Sequence, residues 1–302
     1  MTGILKNKMI AVLMGGPGAE REVSLRSGAA VSRALRSCGA EVAEVDVRGP
    51  DFSLPAGTDL ACNMIHGTFG EDGQIQEILE ARGIPYTGEG VAGSRTAFDK
   101  ILSKRRFDAA GVPTGAWHVV TRGGTPQTAP PFVVKAPRQG SSVGVHIITD
   151  AAAVPAALED CFQFGDEVLI EEFFHGRELT VGILGNEALP VIEIVPHGGF
   201  YDYQHKYTKG ASEYFVPAEI GAEATAAVQD AALAGHRALG LEVYSRVDVL
   251  LAPDGRLNVL EINTIPGMTE TSLLPKAAAV VGLDFPTLCE RIAALSLKRF
   301  AT

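Results

Sequence analysis

The stretch VYSRVDVLLAPDGRLNVLEINTIPG, residues 243–267, decides the fold, because it sets four polar residues where a sheet face is ordinarily apolar. Arg246-x-Asp248 precedes the turn signal Pro253-Asp254-Gly255, and Glu261-x-Asn263 follows it. Residues 241–251 and 256–262 are rich in Val and Leu, so the stretch reads as a β-hairpin. With residues 253–256 as a four-residue loop, Ala252 pairs with Leu257, Leu250 with Val259, Asp248 with Glu261 and Arg246 with Asn263. All four polar residues then share one face.

In that register the two carboxylates lie opposite one another, Cβ atoms roughly 5 Å apart, and like charges so placed destabilise a sheet. A cation belongs between them. Arg246 is one candidate, which would make the face an ordinary solvated Arg–carboxylate pair. A hard divalent cation is the other, because two carboxylates and an amide oxygen form an all-oxygen donor set. The exit Asn263-Thr264-Ile265-Pro266-Gly267 favours chemistry here, since functional groups concentrate on strand-end loops.

The chain has 302 residues, 46% of them hydrophobic, enough for two or three cores. A net charge of -10 disfavours nucleic acid as partner, while leaving room for a small anion in a locally basic cleft. Cys38, Cys62, Cys161 and Cys289 are scattered without C-x-x-C spacing, which indicates neither a zinc site nor a disulfide framework and suits free thiols in the cytoplasm. No apolar run approaches a membrane span, and residues 9–14 are too short for a signal sequence.

Taken in order, residues 9–14, 41–47 and 60–65 read as parallel strands, with a helix over 24–38. Ligand groups then belong beyond the carboxyl ends of the strands, where GGPGAEREVS (15–24) and HGTFGEDG (66–73) fall. The first segment is a broken dinucleotide fingerprint, with Arg21 at the last glycine position. Glu20 in that turn either accepts a substrate ammonium or is a helix-start acid favoured by the macrodipole. His66 and Glu71 are equally open between structural and catalytic roles.

Next, Ser94 is expected to cap one helix turning Phe98, Ile101, Leu102 and Phe107 inward and Lys100, Lys104, Arg105 and Arg106 outward. Strand 132–135 ends in Lys135 and leads into the small-residue loop RQGSSVG (138–144) and a return strand to 148. That loop is either a mobile hairpin or a phosphate cradle of backbone N–H groups and hydroxyls, Ser142 among them, with Lys135 as a point charge. It is not a Walker A loop. A helix over 150–164 and a strand 167–174 follow, the latter ending in acids beside which an adenine edge and ribose would fit. The remaining elements are strands 178–184 and 189–195, helix 222–239, and helices 273–281 and 286–298. Between them the loop 199–210 holds Tyr201, Tyr203 and Tyr207 and reads as a lid or a self-packed Ω-loop.

In order along the chain stand EREVS (20–24), HGTFGEDG (66–73), VVKAPRQGSSVG (133–144), VLIEE (168–172), YDYQHKY (201–207), RVDV (246–249) and EINTIPGMT (261–269). Together they resemble the D-alanine:D-alanine ligases of the ATP-grasp superfamily, from residue 15 to about 275. The resemblance implies a mixed α/β (α+β) ATP-grasp fold with an N-terminal parallel-sheet domain (1–89), a small central domain (90–172) and a larger C-terminal domain (173–302). It implies ATP as cosubstrate, two Mg2+ or Mn2+, two D-alanines as substrates, and a cytoplasmic homodimer serving peptidoglycan synthesis.

Carried over residue by residue, Lys100, Lys135, Ser142 and Lys206 would contact ATP phosphates. Glu171 and Glu178 would serve the adenine and ribose side, and Phe173 would pack near the base. Asp248, Glu261 and Asn263 would bind the metals, while Arg246 and the Gly267 amide would hold a developing oxyanion. Glu20, with His66 nearby, would receive the first ammonium, and Ser272 with the Leu273 amide the second carboxylate. Glu20, Ser141 and Tyr207 would form a hydrogen-bonded set, making the aromatic loop a lid over an acyl phosphate. Family members that make the D-lactate ester lack this tyrosine, so Tyr207 favours the dipeptide, and Tyr207→Phe is expected to gain ester formation. Phe69 and Ile265 depart from the small residues common in the family. Another amino-acid ligase of the superfamily, or a non-catalytic ATP-binding protein, would share part of this set; the broken fingerprint disfavours a nicotinamide enzyme.

Overall fold

The computed structural model describes residues 3–196 and 212–301, so the expected lid with Lys206 and Tyr207 lies outside the described residues. The strands are β1 Met9–Gly15, β2 Glu41–Val47, β3 Leu60–Asn63, β4 Trp117–Thr121, β5 Phe132–Lys135, β6 Val145–Ile148, β7 Glu167–Glu172, β8 Arg177–Leu184, β9 Glu187–Ala188, β10 Ile192–Pro196, β11 Ser212–Phe215, β12 Tyr244–Leu251 and β13 Leu257–Asn263. The helices are α1 Arg21–Ser37, α2 Gln74–Ala81, α3 Val91–Phe98, α4 Lys100–Ala110, α5 Val154–Cys161, α6 Ala222–Ala238, α7 Leu273–Val280 and α8 Phe285–Lys298.

Among the described residues the strands form three sheets. The first is parallel, in the order β2-β1-β3. Its central strand is apolar and buried almost throughout, as a strand covered on both faces must be. The returning C-terminal helix completes that cover, with Leu288 and Ile292 of α8 in one core with Val31 and Leu35 of α1. The second sheet is antiparallel, β4-β7-β5-β6, backed by α5. The third, antiparallel and six-stranded, runs β11-β10-β8-β12-β13 with β9 on β8, and packs against α6.

The decisive hairpin, β12–β13, pairs Arg246 with Asn263 and Asp248 with Glu261, as its polar pattern requires. Nearer the turn the expected register is corrected. The Ala252 N–H donates to the Arg256 carbonyl at 2.9 Å, and Gly255 is left-handed at φ +86°, so Pro253-Asp254-Gly255 form a three-residue loop. Leu250 therefore faces Asn258 and Val249 faces Val259. Leu260 is the extra residue of a β-bulge, and it returns Asp248 to Glu261.

The single helix capped by Ser94 is also corrected. Two helices meet at Asp99, whose side chain accepts the Ile101 and Leu102 N–H groups and caps α4, while Ser94 lies buried inside α3. Leu102, expected inward, is 39% exposed, and Lys104, expected outward, is 0% exposed. The helix expected over 150–164 is regular only in α5, with single 3-10 turns on each side.

Candidate functional site

Glu20 ends the β1–α1 turn, and the turn is fixed by Ser24, whose hydroxyl donates to the Met64 carbonyl (2.6 Å) and accepts the Gly15 N–H (2.8 Å). This ties the start of α1 to the ends of β1 and β3. The Glu20 carboxylate makes no capping bond to its own helix and instead accepts the Ser141 hydroxyl at 2.6 Å, joining the first unit to the glycine-rich loop. Glycine suits the position beside it, because Gly67 is left-handed at φ +69° and a Cβ there would stand 2.5 Å from Glu20 Oε2, displacing that carboxylate.

His66 hydrogen-bonds the Ile265 carbonyl through Nδ1 at 2.8 Å and the Ser27 hydroxyl through Nε2 at 3.2 Å. A carbonyl only accepts, so Nδ1 carries the proton and Nε2 is the acceptor of a neutral ring. Burial lowers the His66 pKa and keeps the ring neutral. Ser27 in turn accepts the Met268 N–H at 3.3 Å, so His66 and Ser27 hold the segment carrying Gly267 against α1. Beside His66, Glu71 accepts the Gly67 N–H at 2.8 Å. Its carboxyl is pushed up to about 8, first by burial and then by the Glu20 charge.

On the hairpin face, Arg246 grips Asp248 with two guanidinium N–H groups at 3.0 and 2.9 Å, and the Thr180 hydroxyl donates to the same carboxylate at 2.6 Å. The Asn263 amide donates to Asp248 at 3.2 Å. Opposite, Lys100 Nζ reaches Glu261 at 3.1 Å and the Gln139 carbonyl at 2.8 Å. Each facing carboxylate thus has its own cation, which answers the repulsion built into the register.

Lys100 also links the hairpin to the glycine-rich loop. Asp99 adds a second tie, with its free oxygen accepting Arg138 Nε at 2.7 Å. Ser141, Ser142 and Gly144 are left-handed, at φ 52°, 62° and 63°. The Val143 N–H closes this turn on the Gly140 carbonyl at 3.1 Å, and loops of small residues in turn conformations can offer N–H groups to an anion. Below the loop, Glu171 lies between Lys104 (2.6 Å) and Lys135 (2.5 Å). Burial alone would raise this acid; the two ammonium groups outweigh it and hold the carboxyl down to about 2. Burial likewise opposes the charge on Lys135, and Glu171 with the fields of Glu261 and Glu178 raises its pKa nonetheless.

At the far end, the Ser272 hydroxyl accepts the Thr269 N–H at 3.0 Å and Ser272 takes the N-cap position of α7, so the Leu273 amide opens that helix. Helix N-termini favour carboxylates.

A cleft of about 760 Å3 gathers Glu20, His66, Ser141, Lys100, Arg246, Glu261, Asn263, Gly267, Ser272 and Leu273 on its walls. Asp248 lies beneath this wall, gripped by Arg246. Lys135, Ser142, Glu171, Phe173 and Glu178 are outside that lining; they stand on or beside the second sheet and on β8. Sequence reasoning missed Thr180, which looks like any strand threonine, and Lys104, whose i+4 spacing from Lys100 on α4 is the only signal.

One antiparallel sheet carrying a lysine and a glycine-rich loop, and another carrying paired acids, closing on a shared cleft, define an ATP-grasp ligase. The D-ala D-ala ligase N-terminus family model matches residues 44–89 and the C-terminus model residues 107–294. The chain is 50% identical over 291 residues to the D-alanine--D-alanine ligase of Methylacidiphilum infernorum, covering 96% of each chain. To that of Syntrophotalea carbinolica it is 48% identical over 297 residues, again covering 96% of each. Among solved structures, the ATP complex of the Bacillus anthracis D-alanine--D-alanine ligase is similar with a TM-score of 0.84 at 31% identity, over 97% of this chain and 98% of that one. The VanG D-Ala:D-Ser ligase of Enterococcus faecalis follows with a TM-score of 0.85 at 28% identity, over 96% and 100%. The chain belongs to the D-alanine–D-alanine ligase family.

Proposed function

We propose that this chain joins two D-alanines to D-alanyl-D-alanine at the cost of ATP, giving ADP and phosphate for peptidoglycan precursors. The observation that carries the reading is one cleft whose walls bring together Glu20, Lys100, the glycine-rich loop at Ser141, Glu261 and Asn263 of the hairpin, and the helix N-terminus at Ser272 and Leu273. The first D-alanine's carboxylate oxygen attacks the γ-phosphorus, the bond to ADP breaks, and an acyl phosphate forms. The second D-alanine's amine attacks that carbonyl carbon. The resulting oxyanion faces Arg246 and the Gly267 amide, then phosphate leaves and the nitrogen loses its proton. Glu20 receives the first ammonium, and Ser272 with the Leu273 amide the second carboxylate. Ser141 with Glu20 holds the loop over the donor, and Lys100 and Lys135 meet the phosphates with Ser142; the resemblance adds Lys206, which lies outside the described residues. Glu178 and Phe173 border the nucleoside side beside Glu171.

Asp248, Glu261 and Asn263 offer an all-oxygen donor set that fits one or two hard divalent cations, Mg2+ or Mn2+. Such ions, when bound, stabilise charge on the transferred phosphoryl group. Among the described residues no helix is long and apolar enough to cross a membrane; the cytoplasm as the place of the reaction is what the resemblance implies. The resemblance further implies a homodimer and the domain limits 1–89, 90–172 and 173–302.

Phosphate release from ATP and Mg2+ tests the reading, with D-alanine, L-alanine, D-serine or D-lactate added singly and in pairs. D-Alanine alone is expected to suffice. Equal release with L-alanine would point to another amino-acid ligase, and ATP binding without release to a non-catalytic protein.

A further inference from the structure

Lys104 is 0% exposed, so its ammonium cannot touch a ligand in the cleft. It is saturated by three acceptors: Glu171 Oε1 at 2.6 Å, the Thr114 hydroxyl at 2.5 Å and the Val259 carbonyl at 3.2 Å. Glu171, 3% exposed, turns its other oxygen to Lys135 at 2.5 Å. Lys135 keeps 14% of its side chain exposed, so it is the member of the three that reaches outward. The trio joins α4, β7 and β5, and through Val259 it touches the hairpin that bears the paired acids.

Charge bookkeeping over this buried trio gives two cations against one anion. A phosphate approaching Lys135 therefore meets a net positive group, although Lys135 is in contact with a carboxylate. Without Lys104 the pair Glu171–Lys135 would be neutral as a unit, and Glu171 would repel the incoming polyphosphate about as strongly as Lys135 attracts it. At low dielectric that difference is large.

We propose that Lys104 is a positioning residue for the nucleotide phosphates: by neutralising Glu171 it frees the charge of Lys135 for the polyphosphate. The proposal rests on Lys135 being the phosphate lysine of the reading above. The alternative is that Lys104 only fastens α4 to β7 and the hairpin, in which case its charge is immaterial to nucleotide.

The two differ in how a second mutation acts. Lys104→Met is expected to weaken Mg·ADP binding, measured by titration calorimetry, by about ten- to a hundredfold, the range for a charge-assisted contact. Adding Glu171→Gln leaves Lys135 as the only charge of the trio; with inorganic triphosphate as the probe, which brings no adenine to position 171, it is expected to recover most of the loss that Lys104→Met causes. In turnover, Lys104→Met raises KM for ATP while kcat at saturating ATP stays within about threefold. Lys104→Gln, which keeps a hydrogen bond to its neighbours without the charge, and its Glu171→Gln double provide the same comparison if the methionine variant does not fold. A Lys104 variant that binds Mg·ADP within about threefold of the parent overturns the proposal. So does a double variant that is folded and binds inorganic triphosphate no tighter than the single. Because ADP binding needs no amino acid, a protein that fails to ligate D-alanine would still report on Lys104.

Discussion

Glu89 is buried where the chain leaves the first sheet, and its carboxylate accepts three consecutive N–H groups at the start of β12: Glu242 at 2.8 Å, Val243 at 2.9 Å and Tyr244 at 2.9 Å. It fixes the origin of the strand that delivers Arg246 and Asp248. Burial raises its pKa, and the three donors pull it part of the way back. Glu89→Ala would leave two buried donors, Val243 and Tyr244, and a partly buried one, Glu242, unpaired at about 1–3 kcal/mol each. The desolvation relieved by removing the charge offsets part of this, so a net loss of about 3–5 kcal/mol is expected.

Amide hydrogen exchange over residues 241–247 reads the effect locally, which matters in a chain with several cores. Since about 1.4 kcal/mol is tenfold, exchange at 242–244 should accelerate by about a hundred- to several thousandfold in Glu89→Ala. Glu89→Gln keeps one acceptor oxygen for Val243 and Tyr244 but turns an NH2 toward the Glu242 N–H. Its loss should be smaller, about 1–2 kcal/mol. Exchange within about threefold of the parent in Glu89→Ala would refute the idea that this carboxylate anchors β12.

Asp248→Asn and Glu261→Gln should each lower phosphate release by at least ~100-fold and raise the Mg2+ concentration needed for half-maximal rate; an unchanged Mg2+ dependence argues against the donor set. His236 is buried with Nδ1 on the Ser245 hydroxyl at 2.8 Å, and burial lowers its pKa from 6.5 to about 4. The unfolded ring takes up a proton first, so this stabilisation, about 3 kcal/mol, is present above pH 6.5 and lost as pH falls toward 4. Denaturation midpoints against pH should flatten there in His236→Asn. Glu71 has the opposite sign: its neutral form is favoured in the fold, so stability falls as pH rises from 4.5 to about 8. Glu71→Gln should remove that slope. Ser272→Ala should raise KM for the second D-alanine about tenfold with KM for ATP unchanged, as bisubstrate kinetics would show.

Much of the architecture was legible because the apolar patterns are strong. β1 is a near-continuous buried run, and β12 and β13 alternate around four polar residues. The motif order carried the ligand side further than any single motif. What periodicity missed was a polar residue whose partner is remote in sequence. Lys104 sits on α4 beside Arg105 and Arg106, which are exposed, and nothing local distinguishes it from them. Its partner Glu171 arrives on another strand, and only the tertiary pairing makes burial of the ammonium tolerable. Asp99 was hidden for a similar reason. It breaks one helix and caps the next, and its other oxygen is used by Arg138 from the distant loop.

The hairpin illustrates why a face is better determined than a loop. Turn chemistry alone permitted a four-residue connection, whereas left-handed Gly255 closes a three-residue one. That single change shifts every pair by one residue, and an uninterrupted ladder would turn Glu261 away from Asp248 and place Leu260 in the polar row. The fold cannot accept this, because Ile262 belongs to the core under α6 and Thr180 already donates to Asp248 from the neighbouring strand. The bulge at Leu260 absorbs the mismatch and keeps Ile262 inward and Glu261 toward Lys100. Burial on one side and charge pairing on the other therefore dictate the register at the functional end. The turn is left to adjust, and a bulge beside the paired acids is the consequence.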